Sequence, residues 1–376
     1  MKRHALLVLA WTATLCWSVL LHGQGPAQLP DQAGVWKPGT YFNNSPGAPI
    51  GKPAASAAEL DALRKALTGL EQAVHDTPML TPPRGFDVQP RQRLDRGCPG
   101  DPVLCRQAPL AGWLDFEIEP YTSLNGKVTT LKGSPPDLEV AFNDPRKAYA
   151  GHHAGSDLTD ASGNMFVGPL IEIERVGNAS ILDTGVVILG RNPRPLLVPA
   201  SREQYLRALM ARYASTPPLA GELRDQLAAL SAEQRRSPAY IDGVGQLTAA
   251  ASYDKSPPLF MFTSRELAAL SQEQRRATPL FIFNPEYFDP ALPRTAIQLV
   301  TVCFLCARDT SLETVRQKLN DRADLLERSP LTPDRLAFLA TSGVDIESYR
   351  IFELTRLLNY SALSALLAAP AASNKD

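Results

Sequence analysis

LDFEIE, residues 114–119, alternates apolar and acidic side chains without a break: Leu114, Phe116 and Ile118 on one parity, Asp115, Glu117 and Glu119 on the other. Successive side chains of an extended chain point to opposite faces, so this stretch predicts a strand with one dry and one wet face. The acidic row is read as the solvated side. LEVAF at 138–142 carries the same alternation, with Leu138, Val140 and Phe142 set against Glu139 and Asn143. Two further apolar stretches, 170–174 and 181–189, are punctuated by Gly177-Asn178 and Asp183-Thr184-Gly185. Those residues favour tight turns between antiparallel neighbours.

A dry sheet face needs a cover, and SAAELDALRKALTGLEQAV at 56–74 supplies one. Ser56 with Glu59 forms a capping box, which satisfies two otherwise orphaned backbone amides at a helix start. Leu60, Leu63, Leu67, Leu70 and Val74 then recur at three- and four-residue steps and line one stripe. Residues 56–200 are therefore expected as a helix laid on an antiparallel sheet.

From Ser201 the texture changes. Ser201 and Gln204 open another capped helix, and LAALSAEQRR (227–236) then returns as LAALSQEQRR (267–276). The wider windows 217–236 and 257–276 agree at 12 of 20 positions without a gap. In each copy a leucine pair, Leu227 with Leu230 or Leu267 with Leu270, ends one helical stretch. Ser231 or Ser271 caps a second, with Gln234 or Gln274 in the reciprocal role. Pro238 and Pro279 stop it, so each unit is predicted to run helix, kink, helix, strand. Helical solenoids need about three units to bury a continuous core, and two copies point instead to a duplicated structural subdomain.

The apolar runs FIFNPEYFDP (281–290) and TAIQLVTVCFLC (295–306) predict late strand structure, followed by helices over 310–326, 332–343 and 349–368. The fold class is α+β. A helix packs on an antiparallel sheet, and a mainly helical half comes after it, with a duplicated unit of about forty residues and a late strand. The segments are 1–27 signal peptide, 28–55 extended and flexible leader, 56–200 sheet domain, 201–290 duplicated segment, 291–369 strand plus C-terminal helices, and 370–376 disordered tail.

The signal reading rests on Lys2, Arg3 and His4, an apolar run over 5–21 and small residues Gly25 and Ala27 before a cleavage point. It implies export to a periplasmic or extracellular space. The alternative is a membrane anchor formed by residues 5–21. Loss of Lys2 and Arg3 moves the charge from -1 to 36 minus 39, or -3, which implies no nucleic-acid partner. Bacterial origin fits the Ala, Pro and Arg richness. The 33 prolines favour ordered turns and short elements.

Four cysteines lie beyond residue 27, and export favours disulfides. Cys98 and Cys105 flank PGDPVL, a turn-rich loop short enough to close on itself, and are expected to bridge. Cys303 and Cys306 have a redox or zinc spacing, but in a strand they face opposite sides as small buried hydrophobes. SILDTGVVILGRN (180–192) resembles the catalytic loop and later glycine-bearing strand of aspartic peptidases, which would make Asp183 a catalytic acid. The competing reading is a three-residue turn with Gly185 at positive φ. His152 and His153 with Asp157 and Asp160 could bind zinc or copper, although adjacent imidazoles in a loop diverge. His75 is read as a cation at a helix end. No cofactor is expected. The favoured function is a non-enzymatic binding or assembly role whose partner the sequence does not name, a protein being one option; the alternative is an exported hydrolase, aspartic-peptidase-like through Asp183 or metal-dependent through His152 and His153, with Asp157 as a further candidate ligand.

Overall fold

The computed structural model describes residues 27–29, 31–42, 54–78, 80–94, 109–124, 126–130, 138–149, 158–168, 170–182, 185–191, 194–239, 262–263, 279–304 and 357–368. Its strands are β1 (Ala27–Gln28), β2 (Thr40–Phe42), β3 (Phe86–Leu94), β4 (Gly112–Leu124), β5 (Lys127–Thr130), β6 (Leu138–Phe142), β7 (Ile171–Val176), β8 (Ala179–Leu182), β9 (Val186–Gly190), β10 (Leu197–Pro199), β11 (Phe262–Thr263), β12 (Phe281–Phe283) and β13 (Leu299–Phe304). Its helices are α1 (Ala57–His75), α2 (Arg202–Arg212), α3 (Pro217–Ala229), α4 (Ala232–Arg236) and α5 (Tyr360–Ala365), with a 3-10 helix at Pro145–Tyr149.

Eleven strands form one sheet in the order β11-β7-β8-β9-β13-β6-β4-β3-β2, with β1 and β5 both paired to the far end of β4. Pairing is antiparallel except for β2 on β3 and β11 on β7. β10 and β12 form a separate two-stranded ladder. The molecule is thus mixed α and β around a large, mostly antiparallel sheet.

The predicted cover is in place. Ser56 and Glu59 close both halves of the capping box at α1, and Leu63, Leu67, Leu70 and Val74 are at most 1% exposed. They pack on Val88, Leu114, Phe116, Val140 and Val300, and each contributes about 2 kcal/mol of burial. Leu363 and Leu367 join the same core from the C-terminal end. Asn359 caps α5 by accepting from Ala362 N, so 349–368 is not one uninterrupted helix.

The late strand lies in the middle of the sheet. β13 pairs with β6 on one side and β9 on the other, in register Val302 with Val140 and Val187. Residues 299–304 therefore complete the sheet between strands that come much earlier in the chain. β8, β9 and β13 are apolar on both faces: Val187, Leu189, Val300 and Val302 face the α1 core, while Val186, Ile188, Leu299 and Cys303 face a second core with Phe281, Phe283, Tyr287 and Phe288. Burial on both faces explains their continuous apolar sequence.

Both turns predicted from sequence are hairpins. Gly177 has φ 58° between Val176 and its partner Ala179, and Gly185 has φ 87° with its N–H donating to Leu182 O. Asn143 is the one non-glycine residue with positive φ among those described. Its carboxamide donates to Leu110 O and Ala296 O and accepts from Gln298 N and Leu299 N. One buried side chain thereby ties together three distant segments.

Residues 31–42, expected as a flexible leader, are extended and attached. Val88 N donates to Val35 O, Lys37 N donates to Val88 O, and the Trp36 indole N–H donates to Leu80 O. The Trp36 ring packs edge-on against Phe116, 5.9 Å between centroids. An indole and a threaded glycine, Gly34, anchor the segment, and a purely polar leader would have neither. In the first repeat copy, α3 breaks at Leu230 and Ser231 caps α4 with Gln234. The second copy lies outside the described residues except for Phe262–Thr263, an extended pair on the β7 edge. The helices expected over 310–326 and 332–343 also lie outside the described residues.

Candidate functional site

The sheet face opposite α1 changes character between its halves. Under β8, β9 and β13 it is apolar; across β3, β4 and β6 it is charged. The alternation of β4 places Trp113, Asp115, Glu117, Glu119 and Tyr121 on this side. Register sets Asp87 opposite Glu119, Gln89 opposite Glu117, Arg91 opposite Asp115 and Arg93 opposite Trp113, with Glu139 of β6 opposite Asp115.

The acidic row is not the solvated surface expected for it. Glu117 is 8% and Glu119 5% exposed, because cations from neighbouring elements fold over them. Arg91 pairs with Glu117. Lys37, carried in by the N-terminal segment, lies 2.6 Å from Glu119 and 3.3 Å from Asp87. Asp87 also accepts from the Tyr121 hydroxyl at 2.6 Å and from Val35 N at 3.0 Å. Lys147, projecting from the 3-10 helix, holds Glu139 at 2.7 Å.

These partners set the electrostatics. Burial pulls the Lys37 ammonium down, but the hydrogen bonds and charges of Glu119 and Asp87 outweigh it and raise it. The hydrogen bond to Asp87 raises the Tyr121 hydroxyl. Asp115 makes no salt bridge among the described residues, and one of its oxygens is buried without a hydrogen-bond partner there. Burial first, then the Glu139 charge, push its carboxyl up to about 6 against the pull of Lys147 and Arg93. Trp113 attracts those same two cations, with Arg93 at 5.1 Å and Lys147 at 5.3 Å from its ring.

No family model, curated protein or solved structure matches the chain. The face has to be read from its own geometry. Its groups lie in a row along the sheet: Arg91 pairs with Glu117 across β3 and β4, Lys37 and Lys147 reach Asp87, Glu119 and Glu139 from elements outside the strands, and Asp115 has no ion pair among the described residues.

Asp183, His152, His153, Asp157, Cys98, Cys105 and Cys306 are outside the described residues. The strands around Asp183 form the in-register hairpin β8–β9, with Ile181 opposite Val187. Asp160, the described member of the histidine group, accepts from Ser162 N, Asn164 N and the Asn164 amide, so it shapes its own turn. Among the described residues no group of three His, Cys, Asp or Glu side chains is arranged to hold a metal ion. Cys303 is buried, as a strand position predicts, but it is disulfide-bonded and not a free thiol.

Sequence reasoning missed the cationic half of the face. The signal is in FDVQPRQRL (86–94), where Asp87, Gln89, Arg91 and Arg93 share one parity. Pro90 hides it, since proline within a run argues against a central strand. Here Val88 N points toward the N-terminal segment, and so does the nitrogen two residues on. The ladder to β4 loses no bond at Pro90.

Proposed function

We propose that the chain is an exported, non-enzymatic protein with a binding or assembly role, and that the charged face of β3, β4 and β6 is the surface it presents. One observation carries this reading: most carboxylates of that face are held by cations from β3, the 3-10 helix and the N-terminal segment, leaving an ordered row of mixed charge along the sheet rather than a convergent centre. Such a pattern selects a partner by complementary charge more than by raw affinity. The disulfide at Cys303 supports an oxidising compartment. The duplicated unit at 217–236 and 257–276 serves in this reading as internal architecture, and the expected partner is a protein.

The test is the size of the particle that the full chain forms in its own source, measured by cross-linking and gel filtration. A species well above the 40.9 kDa of the chain is expected. Arg93→Glu, which reverses a charge at the rim of the face, should reduce that species about ten-fold while the circular dichroism spectrum of the chain stays that of the parent, whereas Arg224→Glu on the exposed side of α3 should not reduce it. A monomer in its own source, or equal loss from both variants, would contradict the proposal.

A further inference from the structure

Asp115 and Glu139 are directly opposed across β4 and β6, and like charges directly opposite in a sheet repel. The cations around them are committed. Lys147 is bonded to Glu139, Arg91 to Glu117, and Arg93 lies on the Trp113 ring. From β4 itself the next ionisable group on this face is Glu117; from β3, Arg91 and Arg93; from the 3-10 helix, Lys147; from β13, the neighbour of Glu139 is the disulfide-bonded Cys303. Lys147 is therefore the one cation bonded to either of the two facing carboxylates among the described residues, Arg93 acts on Asp115 through its charge alone, and one Asp115 oxygen is buried without a partner there.

We propose that Asp115 and Glu139 form a proton-operated latch between β4 and β6: a proton shared by the two carboxyls closes it in mild acid, and loss of that proton loosens it near neutrality. The inference stands on the register and the committed cations, and does not depend on the binding reading above. β6 is the strand that joins the charged half of the sheet to β13, and the 3-10 helix that bears Lys147 places Ala148 in the second core. Loosening at this seam would therefore be felt on both sides of the molecule.

The sign is opposite to that of an ordinary paired carboxylate. Asp115 is raised from 3.8 to about 6 in the folded chain, so the folded state binds the proton more tightly than the unfolded state. The resulting stability is complete below about pH 4 and is lost as pH rises through about 6.

Hydrogen exchange of the β6 amides tests this, after correction for the intrinsic pH dependence of exchange. In the full chain, protection of 138–142 should fall about ten-fold between pH 5 and pH 7.5, the ratio that linkage gives for the raised carboxyl. Asp115→Asn carries the latch in its neutral form and should hold protection flat over that range; its melting temperature should match the parent at pH 4 and exceed it by about 5 °C at pH 8. Glu139→Gln removes the facing charge but leaves the burial of Asp115, and should make the profile shallower without flattening it. A pH profile in Asp115→Asn as steep as the parent's, or a melting temperature lowered equally at both pH values, overturns the latch.

Discussion

Asn143 shows how much one side chain can hold. At φ 56° it occupies a conformation that few side chains tolerate, and its carboxamide makes four hydrogen bonds, three of them buried, to segments more than thirty and more than one hundred and fifty residues away. Replacing it by alanine leaves those backbone groups unpaired and keeps the strained φ. Urea unfolding of Asn143→Ala should show a loss of about 3–4 kcal/mol, and Asn143→Gly should recover only the backbone part, about 1 kcal/mol. A loss below about 1 kcal/mol for alanine would mean that the three segments are held together by something else. In the sequence Asn143 appears only as the polar member of an alternating run. Nothing local announces the role, because all four partners are distant.

Among the elements, the N-terminal segment 31–42 departs furthest from expectation. Its Gln, Pro and Gly content predicts flexibility, yet it supplies Lys37 to the charged face and Trp36 to the core. Gly34 makes its close approach possible: a β-carbon there would lie 1.9 Å from the Phe86 carbonyl oxygen. Gly34→Ala should therefore lift the segment off β3. The expected readouts are faster proteolysis within 31–42, redder emission from Trp36 and a loss of about 2 kcal/mol. Unchanged emission and cleavage would show that the segment does not depend on this contact. The strands and α1 are legible in the sequence because alternation, capping boxes and helical stripes are local signals. Pro90 obscures β3, and the order of the sheet depends on long-range pairing that periodicity does not encode. The candidate site is less legible still, since its cations come from β3, the 3-10 helix and the N-terminal segment, each contributing one or two.

At the scale of the whole molecule, one sheet carries two different surfaces. β8, β9 and β13 are sealed between two apolar cores, whereas β3, β4 and β6 are sealed on the α1 side and charged on the other. Near the residues that invite a catalytic reading from sequence, the described chain forms the β8–β9 hairpin and a turn that Asp160 caps for itself. Hydrolysis of an unbiased peptide mixture by the purified chain, from pH 3 to pH 8 with and without added zinc, compares this view with the hydrolase alternative most directly. The parent, Asp183→Asn and His152→Ala/His153→Ala proteins should all be indistinguishable from the blank. Turnover by the parent that falls a hundred-fold or more in either variant, the scale on which a catalytic acid or base acts, would contradict it.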